Sequence, residues 1–328
     1  MNIFIDLGTS HFRAGTKEKG VLVNEPSVVA YRGSQVIVGT EANRMIGRIP
    51  RGIRLAYPVE DGIVKDLDAA VDTVKYIIGK CSPSKYLNRY NIVFSSPWKL
   101  TDVEKGALKE AASAGTSRRV EFVDASVAAA LGAELPIEDP TGCMIVNLGG
   151  GTTEVSILSM GGVVHSRRQS VGGKTIDDEI VELLRKEYRF TIGQPSAERL
   201  KHLASAAPGE QAFEVSGRNL MTRLPGKRKV DEKLLQKSLE SYVDTIQQLI
   251  VEALESCPPE LIGDIVDRGI MLVGGGAHSQ YILERMRQRI EIPVVSAESP
   301  DLCIIRGLMR YETGETKGRF GRLKQNVS

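Results

Sequence analysis

Two stretches of the chain repeat one another. "FIDLGTSHFRAG", residues 4–15, and "IVNLGGGTTEVS", residues 145–156, share one order of features. Each has an apolar strand, then Asp or Asn, then Leu-Gly, then Thr followed by Ser or Thr, then a returning strand. Asp6 and Asn147 hold equivalent places. A unit that recurs once per half-chain predicts two similar halves facing each other. The glycines predict more. Without a side chain, backbone amides in such a turn approach a phosphate closely. A third glycine turn, "GIMLVGGGAHS", joins an apolar strand to a helical stretch starting near Gln280. One glycine turn is usually a plain hairpin or the start of a helix. Three of them, two alike, argue for a phosphate site.

The remainder alternates between strand-like and helix-like stretches, the pattern of an α/β protein. "TDVEKGALKEAASAG" opens with Thr101 and Glu104 at capping-box spacing. Ile176, Ile180, Leu183, Leu184 and Tyr188 share one helical face. Leu235, Leu239, Tyr242, Ile246, Leu249 and Ala253 form a longer stripe that ends before Pro258 and Pro259. Looser stretches run from Arg48 to Pro58, Ala206 to Gln211 and Leu224 to Lys229, and read as subdomain edges.

Composition excludes several classes. The net charge of +2 gives no general pull toward nucleic acid. Cys81, Cys143, Cys257 and Cys303 are widely separated, which reads as reduced thiols in a cytoplasmic protein. No apolar run reaches the ~18 residues of a membrane span. The first strand begins at Asn2, so neither a signal peptide nor an N-terminal amphipathic helix is expected.

The motifs "IDLGTS", "NEPSVVA", "MIGRIP", "DGIVKD", "LGGGTTEVSILSMGGVV", "SAERLK", "CPPEL", "DIVDRG" and "LVGGGAH" occur in that order. This set resembles the MreB family of bacterial actin homologues over almost the whole chain. The resemblance implies an actin-like α/β fold of two duplicated domains, each with a smaller subdomain. Domain I would take residues 1–140 and 305–328, with its small subdomain at about 29–61; domain II would take 141–304, with its small subdomain at about 176–237. ATP or ADP with Mg2+ would sit between them. The family forms paired protofilaments at the inner face of the cell membrane and works with the cell-wall elongation machinery that maintains rod shape.

Carried over by position, the first phosphate loop is Asp6, Gly8, Thr9, Ser10 and His11, and the second is Gly149, Gly150, Gly151 and Thr152. The resemblance places Glu198 and Lys201 at the ribose and adenine; read from spacing alone, they are a surface ion pair. Gly274, Gly275, Gly276 and Ala277 would back the adenosine and α-phosphate. Asp6 would hold the metal through water, with Asn147 a weak second donor. His11 and His278 read as neutral contacts.

Two positions depart from the family. An acid is usual where Asn147 stands, and a neutral amide stabilises a metal much less. In "FVDASVAAALGAEL", Ala125 falls where the family's water-orienting acid belongs, leaving Asp124 as a weak substitute. Thr152, the family's other water-orienting residue, is kept. Loss of a positioned base costs about 10²- to 10⁴-fold in rate. Nucleotide binding with weak hydrolysis is therefore expected. The alternative is a non-hydrolysing paralogue that copolymerises with an ordinary MreB. A sugar kinase would need a substrate-side acid motif, and an Hsp70-type chaperone a further peptide-binding domain. For membrane contact, "SPSKYLNRYN" offers Tyr86, Leu87 and Tyr90 beside Lys85 and Arg89, with the basic tail from Lys317 to Lys324 next in line.

Overall fold

The computed structural model describes residues 1–82, 90–113, 119–206 and 211–311. The first half opens with an antiparallel meander, β1 (Asn2–Leu7), β2 (His11–Thr16) and β3 (Gly20–Pro26). A small sheet follows, built from β4 (Val29–Arg32), β5 (Gln35–Val38) and β6 (Ile53–Ala56), with α1 (Thr40–Asn43) against it. A short ribbon, β7 (Val59–Glu60) and β8 (Ile63–Val64), leads to α2 (Leu67–Cys81). Two strands then add in parallel beside β1: β9 (Asn91–Ser96) and, after α3 (Asp102–Ser113), β10 (Arg119–Asp124). Parallel neighbours need a crossover, which the helices supply.

α4 (Ala125–Gly132) carries the chain to the second half. There β11 (Cys143–Leu148), β12 (Thr153–Ser159) and β13 (Gly162–Gln169) repeat the meander. α5 (Gly173–Tyr188), β14 (Phe190–Thr191), α6 (Gln194–Ala204), β15 (Ala212–Asn219) and β16 (Pro225–Asp231) contribute the second small sheet and its helices. α7 (Glu232–Glu255) and α8 (Pro259–Arg268) precede the parallel strand β17 (Ile270–Val273). α9 (Gln280–Arg289), β18 (Val294–Ser296) and α10 (Cys303–Tyr311) follow. The large sheets run β3-β2-β1-β9-β10 and β13-β12-β11-β17-β18, one order used twice. The repeat read in the sequence is therefore a repeat of topology.

Local chemistry explains the helices. Glu104 Oε2 accepts from the Thr101 amide at 2.7 Å, and Thr101 Oγ1 accepts from the Glu104 amide at 3.3 Å, closing the capping box of α3. The stripe on α7 is buried from Leu235 to Ala253. Central strands are apolar on both faces: Ile3, Phe4 and Ile5 of β1 are all sealed from solvent. α10 returns to pack on α4 and the first sheet, where Phe4, Val93, Ala128, Ile305 and Leu308 share a cluster. The two helices touch backbone to backbone, since a Cβ on Gly307 would overlap the Ala128 carbonyl.

Three sequence expectations change. The stretch Arg48 to Pro58 contains β6, and Leu224 to Lys229 lies largely within β16. Of β16 only Val230 is buried, so its pattern is too polar to read as a strand. Tyr90, read as lipid-facing, is 5% exposed and packs in the core beneath the first large sheet. The ring satisfies its apolar character inward. Tyr86, Leu87, Lys85, Arg89 and the basic tail lie outside the described residues.

Candidate functional site

The strand ends of both halves open onto one cleft of about 460 Å³. The first loop enters from β1–β2, the second from β11–β12 and the third from the turn after β17. Each hairpin closes the same way: the Gly8 amide donates to the His11 carbonyl at 3.1 Å, and the Gly149 amide to the Thr152 carbonyl at 2.9 Å. The loops meet. A Cβ at Gly150 would overlap Ser10 Oγ. Gly274 has φ +84° and would bring a Cβ to 2.5 Å from the Leu148 carbonyl oxygen. Only glycine leaves such room for a ligand against backbone.

Of the expected binding residues, Asp6, Gly8, Thr9, Ser10, His11, Gly149, Gly150, Gly151, Thr152, Glu198, Lys201, Gly274, Gly275 and Gly276 line this cleft. Ala277 does not: it is 4% exposed and packs into the second core. Glu198 and Lys201 do not pair with one another. Lys201 Nζ donates to the Gly173 carbonyl at 2.9 Å and reaches Asp177 at 2.9 Å, tying α6 to the start of α5. Burial pushes the Asp177 carboxyl up to about 6, outweighing Lys201. Glu198 stays half-exposed, 4.0 Å from His202.

The floor of the cleft is charged. Asp6 is 8% exposed. Burial raises its carboxyl, opposed by Arg13 at 3.8 Å and by Ser95 Oγ, which donates at 2.8 Å. His11 is driven toward neutrality by burial and by Arg13. His278 Nε2 lies 3.0 Å from Asp301.

At the other end sits Glu154, which the sequence reading missed. It faces Asn147 in the register that sets Arg13 opposite Asp6. That alignment was the available signal. Glu154 is 6% exposed, and burial raises its carboxyl against help from Ser166, which donates at 2.9 Å, and from the Trp98 amide. Ser126, Ser156 and Ser166 form a hydroxyl network around it.

Asp124 lies outside the cleft lining, whereas Ala125 is part of it. Asp124 Oδ1 accepts from the amides of Ser126 at 2.9 Å and Val127 at 3.4 Å, capping α4. Burial and the neighbouring Glu154 push this carboxyl up to about 6. Its position suits a helix cap, not a water-orienting base.

Contacts across the cleft hold it closed. Lys174 Nζ donates to the Thr9 carbonyl at 3.2 Å, and Arg168 donates to the Asp61 carbonyl. These residues fit an adenine nucleotide, with three glycine turns for the phosphates. They offer little to an Mg2+ ligated directly by side chains, as distinct from one held by Asp6 through water. Asp6 is already engaged and Asn147 is neutral. Among the described residues no three His, Cys, Asp or Glu side chains converge to hold a metal.

Residues 1–319 match the MreB/Mbl protein family. The cell shape-determining protein MreB of Escherichia coli (strain K12) is 36% identical over 317 residues, covering 93% of this chain and 91% of the relative. MreB5 of Spiroplasma citri, solved bound to ADP, superposes with a TM-score of 0.90 at 34% identity, covering 97% of each chain. The same protein bound to AMPPNP gives a TM-score of 0.91 at 32% identity, covering 99% of this chain and 98% of that one. The duplicated sheets, the glycine-lined cleft and these likenesses together make this chain a member of the MreB/Mbl family, with the actin-like α/β fold.

Proposed function

We propose that this protein binds ATP and ADP in the cleft, assembles into paired filaments at the cytoplasmic face of the cell membrane and takes part in determining cell shape. The observation that carries the reading is the meeting of the Gly8 and Gly150 turns, one from each half, in a chain so similar to an ADP-bound relative. Hydrolysis is slow. Ala125 lines the cleft where a base would act, and the acid just before it, Asp124, is committed to capping α4. Thr152 remains to orient water but cannot accept its proton as a carboxylate would.

The chemistry of this chain's residues is mainly positioning. Backbone amides cradle phosphates, Lys201 fixes α6 over the base side, and Lys174 and Arg168 close the cleft across the halves. Tyr86 and Leu87, with the basic tail, are the proposed lipid contacts. The cell-wall elongation machinery is the proposed protein partner.

Titration calorimetry with ATP and ADP tests the binding, and electron microscopy with and without lipid vesicles tests assembly. Heat of binding and paired filaments support the reading. No adenine-nucleotide binding under any condition overturns it. The missing base also favours a second reading, copolymerisation with an ordinary MreB: protein that enters filaments only when such a companion is added would establish it.

A further inference from the structure

Arg13 stands on β2 directly opposite Asp6, so its side chain emerges beside that acid. Its guanidinium lies 3.8 Å from Asp6 Oδ2 and 3.4 Å from Asp301 Oδ2. The side chain is 13% exposed. Its Nε is buried with no hydrogen-bond partner among the described residues. Arginine carries five N–H donors and no acceptor. Two long carboxylate contacts leave most of that capacity unused, and a buried unpaired donor is costly. Arg13 also lines the same cleft as the Gly8 and Gly149 turns. A forked, permanently charged group in the wall of that cleft is suited to phosphate oxygens.

The acids beside it are engaged. Asp6 Oδ1 accepts from Ser95 at 2.8 Å, and its other oxygen faces Arg13. Asp301 divides itself between His278 and Arg13. The second half offers only the neutral Asn147 at the equivalent place. A divalent cation held by protein needs carboxylate oxygens that are free to turn toward it. This floor instead carries a cation of its own.

We propose that Arg13 binds the nucleotide phosphates and supplies the positive charge that a protein-held Mg2+ would otherwise provide, so that adenine nucleotide binds this cleft without the metal. The inference rests on the nucleotide reading above and adds a residue and a metal requirement to it.

The test is calorimetry with ATP, in EDTA and in Mg2+, on the native protein, Arg13→Leu and Arg13→Lys. Native affinity should differ by less than about threefold between the two buffers. Arg13→Leu should weaken binding in EDTA by about thirtyfold or more, with Mg2+ restoring part of it. Arg13→Lys keeps the charge and should stay within about fivefold of native in EDTA. Tight native binding in Mg2+ that falls by about thirtyfold or more in EDTA overturns this inference and leaves the nucleotide reading standing. No binding in either buffer overturns both. Native-like binding of Arg13→Leu in EDTA removes Arg13 from the site. Thermal melting of each variant without ligand separates lost binding from lost fold. If Arg13→Leu fails to fold, the native comparison and Arg13→Lys decide: Lys binding in EDTA more than about thirtyfold weaker than native, in a folded protein, counts against charge as the source of affinity.

Discussion

Asp6 and Arg13 face each other across β1 and β2; Asn147 and Glu154 hold the same two places across β11 and β12. The backbones agree down to the turn hydrogen bond. The charges do not. The first half sets an acid at the strand end and a cation beside it. The second sets a neutral amide at the strand end and an acid beside it, wrapped by serine hydroxyls. Burial raises both acids; Arg13 opposes the shift at Asp6 from 3.8 Å, and at Glu154 the Ser166 hydroxyl and Arg168 oppose it, while Glu154 in turn helps raise Asp124. A duplicated topology thus fixes where side chains emerge and leaves their chemistry to each copy. One copy sets a guanidinium into the cleft wall, the other a buried acid.

The largest effect should come from disturbing the packing of α10 on α4 beneath the first sheet. Gly307→Leu drives a side chain into the Ala128 carbonyl where α10 crosses α4. Backbone cannot move aside as a flexible side chain can, so the expected loss is about 3 kcal/mol or more in urea unfolding. Native stability in this variant would show that the close crossing of α10 and α4 is not needed to hold the first half together.

A smaller effect should follow from placing acids at the two neutral positions. Asn147→Asp with Ala125→Glu should raise phosphate release by about 100-fold, the worth of a positioned base. The two changes should be non-additive, because metal placement and water orientation act on one transition state. Asn147→Asp alone should give the strand ends matching acids and make binding depend more on Mg2+. A native rate already equal to that of a relative carrying both acids would break the contrast between the halves.

The smallest effect is on pH dependence. The Asp124 carboxyl, held at about 6 in the fold against an ordinary 3.8, binds its proton more tightly folded than unfolded. Stability should therefore rise as pH falls from about 7.5 to about 5.5, by on the order of 1 kcal/mol. Asp124→Asn keeps a helix cap and removes the repulsion with Glu154, so its melting temperature should vary less over that range. An equally steep profile would assign the effect to other acids, with Asp177 next, since it too lies at about 6.

Much of this is legible in the sequence. The repeated hairpins, the third turn, the capping box at Thr101 and the stripe on α7 are local patterns, and local patterns are set by backbone periodicity and by what glycine permits. The edge strands were harder. β16 buries only Val230, so hydrophobic alternation gives almost no signal there. Tyr90 misled because an aromatic beside cations reads alike whether its ring turns to lipid or to core; only packing against the first sheet settles it.

The sequence by itself determined two hairpins, their glycine turns and the neutral side chains of Asn147 and Ala125. Tertiary structure alone decided what those residues meet. Arg13 reaches Asp301 across a separation of 288 residues, and Lys174 reaches Thr9 across 165. Asp124 became a helix cap because β10 ends where α4 begins, and Glu154 became a buried acid because β12 lies inside the second sheet. Periodicity says which face a side chain takes. Which charge lies opposite depends on how the two halves dock, and pairing between side chains so far apart in the chain leaves no local pattern.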